Sequence, residues 1–148
     1  MNTDELMEFT VAKFFLDTNV LVYWVDKHPF AERAEALLAQ DSVISVQVLN
    51  EFSNVLRSKR KMPWAEIADI SQTLQSLCKV SDLNQATHQA ALHLVQRYNL
   101  HIYDANIVAS AAQMRCDVLY SEDMQHGMSI QMPAQFGGAS LSIKNPFL

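Results

Sequence analysis

The chain has 148 residues, 49% of them hydrophobic, and a formal net charge of −5 from 11 basic and 16 acidic side chains. That length suits one domain and leaves no room for two ordinary ones, and a chain of this size buries roughly 68–70% of its unfolded surface without needing staples. The hydrophobic content excludes a disordered chain. No apolar run approaches the roughly 18–20 residues of a membrane span, and the acidic balance speaks against a general nucleic-acid binder, which is usually basic.

Residues 1–11 read as a lead-in with little periodicity. Met1-Asn2-Thr3-Asp4-Glu5 is acidic and lacks the basic start of a secretory signal. Cys78 and Cys116 share no short spacing, which fits a reduced pair in the cytoplasm. Lys13–Leu16 is the first expected strand, ending in Asp17, and Asn19–Trp24 continues as a short helical turn. Ala31–Ala39 repeats Ala34, Leu37 and Leu38 at helical spacing. Val43–Val46 reads as a second strand. Gln47–Arg60 is the best helix, with Val48, Phe52, Val55 and Leu56 on one stripe, and Pro63 breaks it. Trp64–Leu77 is another helix and Lys79-Val80 a brief strand. The next helix starts at Ser81 or Asn84 and runs to Tyr98. Asp104–Met114 is a short, Ala-rich helix, and Cys116–Tyr120 a strand. The tail from Gly127 onward reads as irregular, with a turn at Gly137-Gly138 and Leu141–Ile143 as a possible last strand. Strands interleaved with helices predict an α/β domain, its sheet mostly parallel and covered by helices on both faces.

Four carboxylates fall at notable places. Asp17 ends an apolar strand, where open parallel sheets keep their sites; a helix cap is the plain alternative. Glu51 lies about 60° from Val48 on the helical wheel, beside the buried face, although long side chains also snorkel from such edges. Asp104 stands on the line of its helix's core face in the first turn, either as an N-cap or as an acid held over the sheet edge. Asp123 repeats the Asp17 situation after Val118-Leu119-Tyr120, with an ordinary loop acid as the alternative. Its neighbour Glu122 is read as exposed.

In a doubly wound domain all four acids converge on one edge. Two carboxylates about 4 Å apart repel by roughly 4 kcal/mol at an effective dielectric near 20. A group of four therefore takes up protons or recruits a cation, and all-oxygen ligation suits Mg²⁺ or Mn²⁺ rather than zinc. Such ions mostly serve phosphoryl chemistry. Asn19 and Ser121 are candidates to orient ligands or water, or are turn formers. Four of the 11 basic residues crowd into Arg57-Ser58-Lys59-Arg60-Lys61. Arg57, Lys59, Arg60 and Lys61 are candidates to guide a phosphate chain toward the acids; a basic helix C-terminus favoured by the macrodipole reads equally well.

Leu16-Asp17-Thr18-Asn19-Val20-Leu21, Gln47-Val48-Leu49-Asn50-Glu51-Phe52, Tyr103-Asp104-Ala105-Asn106-Ile107-Val108-Ala109 and Tyr120-Ser121-Glu122-Asp123, in this order, resemble the PIN-domain ribonucleases. The spacing and chain length are most similar to the VapC-like toxins of toxin–antitoxin pairs. The resemblance runs from about Lys13 to Gly127. It implies a single PIN-like domain and a Mg²⁺- or Mn²⁺-dependent endoribonuclease, usually dimeric. A small antitoxin protein would lie over its groove. Asp17, Glu51, Asp104 and Asp123 match the family's acidic quartet, Asn19 the Asn two places after the first acid, and Ser121 the hydroxyl residue two places before the last. Met124-Gln125-His126-Gly127 departs from the aromatic residue many members carry there, which bears on subgroup and RNA target. The rival reading is the same fold without catalysis, binding RNA or a partner.

Overall fold

The computed structural model describes residues 13–148, so the expected lead-in over residues 1–11 lies outside the described residues. β1 (Phe14–Leu16) is buried along its whole length, as a strand covered on both faces must be. It pairs in parallel with β2 (Ser42–Ser45) on one side and with β4 (Val118–Tyr120) on the other. β3 (Lys79–Ser81) extends the sheet beyond β2. β6 (Ser140–Lys144) lies parallel to β4, and β5 (Ser129–Gln131) closes the far edge antiparallel to β6. The order is β3-β2-β1-β4-β6-β5. From β1 the chain steps outward through β2 to β3 and then returns to place β4 on the opposite flank of β1. The seam between β1 and β4 is where the strand order reverses, and a crevice opens there at the carboxyl ends.

Six α-helices flank the sheet among the described residues: α1 (Thr18–Val25), α2 (Ala31–Leu38), α3 (Val46–Ser58), α4 (Trp64–Leu77), α5 (Gln85–Tyr98) and α6 (Ile102–Gln113). α3 buries the Val48, Phe52 and Leu56 stripe and is capped by Ser45, whose Oγ accepts from the Val48 amide at 3.2 Å. α5 opens on a reciprocal Asn84–Thr87 capping box, so Asn84 rather than Ser81 starts it. α6 is buried almost all round, from Ala105 through Ala112 with only Asn106 partly open. Its small side chains let it pack against both α5 and the sheet. None of these helices is long and apolar enough to cross a membrane. Cys78 and Cys116 are both free and buried.

The structure departs from the sequence reading at three places. The chain beyond Gly127 is not largely irregular: besides the strand expected at Leu141–Ile143, which is β6, it supplies β5. In β5 only Ile130 is buried between exposed Ser129 and Gln131, an alternation too brief to register as a pattern. α6 begins two residues before Asp104, because His101 caps it by accepting the Tyr103 amide on Nδ1 at 3.3 Å. Asp104 is therefore not an N-cap. Finally, α3 ends at Ser58 with Lys59 as its C-cap, and Lys61 turns the chain with a left-handed φ of 56°. Arg60 and Lys61 thus lie beyond the helix expected to carry them.

Candidate active site

Asp17 and Ser121 are the first residues past β1 and β4. The ladder carries them side by side, since the Asp17 amide donates to the Tyr120 carbonyl and the Ser121 amide to the Lys144 carbonyl, both at 3.0 Å. Asp17 is only 4% exposed and Ser121 fully buried. Ser121 Oγ donates to Asp17 Oδ2 at 2.7 Å and accepts the amides of Asp123 and Met124 at 3.2 and 3.3 Å. One hydroxyl thus uses its donor and both lone pairs. Asp17 Oδ1 accepts the Thr18 amide at 2.7 Å, so Asp17 is both the cap of α1 and the floor of the crevice. Burial pushes its carboxyl up to about 6; the Ser121 and Thr18 hydrogen bonds oppose this, and the Glu51 and Asp104 charges add to it.

The other acids arrive from three further elements. Glu51, half-buried on α3, accepts Thr18 Oγ1 at 2.9 Å and Gln47 Nε2 at 3.0 Å. Asp104 sits in the first turn of α6, half-buried. Its carboxyl is raised chiefly by burial and further by Asp123 and Glu51, while His101 opposes the rise. Asp123 is exposed, and its Oδ2 accepts Asn19 Nδ2 at 3.1 Å. Asn19 also accepts the Glu122 amide on Oδ1 at 3.2 Å. It thereby ties the start of α1 to the loop after β4.

Glu122 is not the free surface acid read from the sequence. It is half-buried and accepts a hydrogen bond from the Tyr23 hydroxyl. Tyr23 is packed among the rings of His28, Phe30 and Phe147. Its phenol is pushed up to about 12, first by that hydrogen bond and then by burial, so it remains a donor. This pair joins residues 99 positions apart, and no local pattern could have shown it. Gln47 and Thr18 were also missed. Gln47 had a readable signal, four residues before Glu51 on one helix face.

Together these side chains line a cleft of about 470 Å³ that includes Asp17, Glu51, Asp104, Glu122 and Asp123. The basic group divides around it. Lys59 and Arg60 line the cleft. Arg60 is paired with Asp26, its Nε donating to Oδ1 at 2.7 Å, which holds the Asp26 carboxyl below its usual range. Arg57 turns away, its guanidinium 5.4 Å from the Trp64 ring centroid and donating to the Met62 carbonyl at 3.2 Å. Lys61 does not line the cleft.

The donor set is entirely oxygen, which fits a hard divalent cation. Burial is the main cause of the raised carboxyls of Asp17 and Asp104, and the neighbouring acids add to it, a repulsion that a cation would offset. Among the described residues no three His, Cys, Asp or Glu side chains already stand close enough to grip one ion. Asp17, Glu51 and Asp123 are instead held on hydrogen-bond donors of their own.

Solved structures of toxin–antitoxin proteins share this architecture. VapC20 of Mycobacterium tuberculosis, a sarcin–ricin loop cleaving toxin, aligns with a TM-score of 0.62 at 20% identity, over 74% of this chain and 89% of its own. A toxin–antitoxin complex from Klebsiella pneumoniae gives 0.60 at 23% identity, over 76% and 87%. VapBC2 from Rickettsia felis, bound to a DNA fragment of its promoter, gives 0.60 at 21%, over 90% and 98%. No protein of curated function matches the sequence. The family model of the PIN domain matches residues 14–126, a stretch containing all four acids of the cleft, and the chain belongs to that family.

Proposed function

We propose that this chain is a divalent-metal-dependent endoribonuclease, hydrolysing RNA phosphodiester bonds as the toxin of a toxin–antitoxin pair. The observation carrying the reading is that Asp17, Glu51, Asp104 and Asp123, from four separate elements, line one cleft of a PIN domain. These four would hold Mg²⁺ or Mn²⁺. Such an ion supplies Lewis acidity and positive charge at a phosphodiester. The chain's own groups set the geometry. Ser121 and the Thr18 amide fix Asp17, Thr18 Oγ1 and Gln47 fix Glu51, and Asn19 fixes Asp123. Lys59 offers a cation at the rim to an approaching phosphate chain, with Arg60 beside it, offsetting locally a chain whose net charge is −5. The toxin role draws on the fold shared with the toxin–antitoxin proteins above. With it come a small antitoxin covering the groove, a homodimer and a cytoplasmic setting.

The test is cleavage of RNA with added Mg²⁺ or Mn²⁺. Asp17→Asn and Asp104→Asn are each expected to lower the rate at least about 100-fold, with the circular dichroism spectrum unchanged. Equal cleavage by wild type and both variants sinks the nuclease reading and leaves the PIN fold as a binding module. Growth arrest on expression, relieved by co-expressing the neighbouring small reading frame, tests the toxin role separately.

A further inference from the structure

The acids account for only part of the cleft. At about 470 Å³ it falls in the roughly 300–1,000 Å³ range of sites that enclose a whole small molecule, more than an ion and one phosphate group fill. Elsewhere its lining is of another kind: Val22 from α1, and Asn54 and Val55 from α3, with Lys59 and Arg60 beyond them. On the α3 wheel Glu51, Asn54, Val55 and Lys59 fall within about 140° of one another. One face of that helix and its C-cap thus presents a carboxylate, an amide, an apolar group and a cation in succession. Asn54 and Val55 stand about 5 Å along the axis from Glu51, one nucleotide's reach from a phosphate held at the acids.

Aliphatic side chains do nothing for an ion or a phosphate chain, but they suit the flat face of a nucleobase. Val22 and Val55 are both half-buried, whereas Asn54 is exposed. The Asn54 backbone carbonyl accepts Ser58 Oγ at 2.7 Å, and the carboxamide keeps its donor and its acceptor for a ligand. The other amide side chains near the acids are already committed. Asn19 holds Asp123 and the Glu122 amide, and Gln47 holds Glu51 and the Tyr103 carbonyl.

We propose that Asn54 grips the edge of the base next to the phosphate held at the acids, with Val22 and Val55 against the faces of that base. That the base belongs to RNA being cut rests on the ribonuclease reading above. A carboxamide sets one N–H donor beside one carbonyl acceptor and pairs with a base edge that carries an acceptor beside a donor. All four bases have such an edge, so Asn54 anchors a base without dictating which. A carboxylate in its place accepts only. Guanine alone answers it with two adjacent donors, N1–H and the N2 amino group.

The experiment uses the full chain with Asn54→Ala and Asn54→Asp, changes at an exposed helix position, so the melting temperature is expected to stay unchanged. Binding is measured without divalent ion on short oligouridylates whose central base is A, C, G or U. Asn54→Ala is expected to bind all four about tenfold more weakly, and Asn54→Asp to favour the guanine oligomer over the other three by about tenfold. Comparing bases within one variant cancels the repulsion from the added charge. With Mg²⁺ and a random-sequence RNA, Asn54→Asp is expected to enrich guanine at one fixed position from the cut. Wild-type affinity in Asn54→Ala, or an Asn54→Asp that binds guanine no better than the other bases, overturns the proposal. If that happens while cleavage still needs Asp17, only the base subsite falls. If guanine is favoured in binding while cleavage ignores Asp17, only the nuclease reading falls.

Discussion

The floor and the rim of the cleft are built on different principles. At the floor, Asp17 is almost out of reach of water, and both its oxygens are taken by donors that the sheet itself positions, Ser121 Oγ and the Thr18 amide. At the rim, Asp123 is in solvent and leans on a single side-chain amide from Asn19. The floor is set by folding and carries electrostatic stress. The rim is set by side chains that can turn toward an ion at little cost to the fold. A pocket made this way has one fixed carboxylate against which the others adjust.

The largest effect that would separate the two regions is on stability. Burial raises Asp17 to about 6 from its ordinary 3.8. The folded state therefore takes up a proton before the unfolded chain does. This contribution to stability is complete below about pH 3.8 and is lost as pH rises through about 6. Above that, the buried charge disfavours folding by about 3 kcal/mol. Asp17→Asn removes this dependence, so its stability relative to wild type should rise by up to about 3 kcal/mol between pH 4 and 7.5, read from urea midpoints. A constant difference across that range would mean that the carboxyl is no more stressed than one in water.

Ser121→Ala comes next. It removes a donor from Asp17 and leaves the Asp123 and Met124 amides without their acceptor. A loss of about 1–3 kcal/mol is expected, along with weaker cleavage. Asn19→Ala frees Asp123 and the Glu122 amide but leaves Asp17 untouched. The stability loss should stay at or below about 1 kcal/mol, while Mg²⁺ affinity or rate falls about 10–100-fold, the usual effect of removing a group that orients a ligand. Comparable stability losses for the two variants would erase the distinction between floor and rim. The smallest effect concerns salt. Lys59→Ala should reduce the slope of RNA affinity against salt by about 1. Arg57→Ala should leave it unchanged, because Arg57 is turned to Trp64 and Met62.

The parallel core of the sheet and the convergence of the acids were readable because both depend on local periodicity. An apolar run that stops at Asp17 or at Ser121 announces a buried strand and what stands at its end. Glu51 beside the Val48-Phe52 stripe and Asp104 among alanines follow from the helical wheel. What escaped depends on contacts distant in the chain or on short segments. Glu122 owes its burial to Tyr23, and Tyr23 owes its place to Phe30 and Phe147. β5 is three residues long, pairs in the sheet with β6 alone and takes a further tie from Tyr98, 33 positions away, whose Oη accepts the Gln131 amide at 3.0 Å. The basic run reads as one patch in the sequence, but the end of α3 at Ser58 and the left-handed Lys61 fan its members in different directions.

The loop that carries Asp123 hangs from β6. The Ser121 amide is bonded to the Lys144 carbonyl and the Gly127 amide to that of Ile143, while Phe147 stacks on Phe30 at 4.5 Å and meets Tyr23 edge-on. Opening of this end of the sheet would release the Asp123 loop while Asp17, Glu51 and Asp104 stay with β1, α3 and α6. The cleft would thus lose its fourth acid by a local event that leaves the rest of the fold in place.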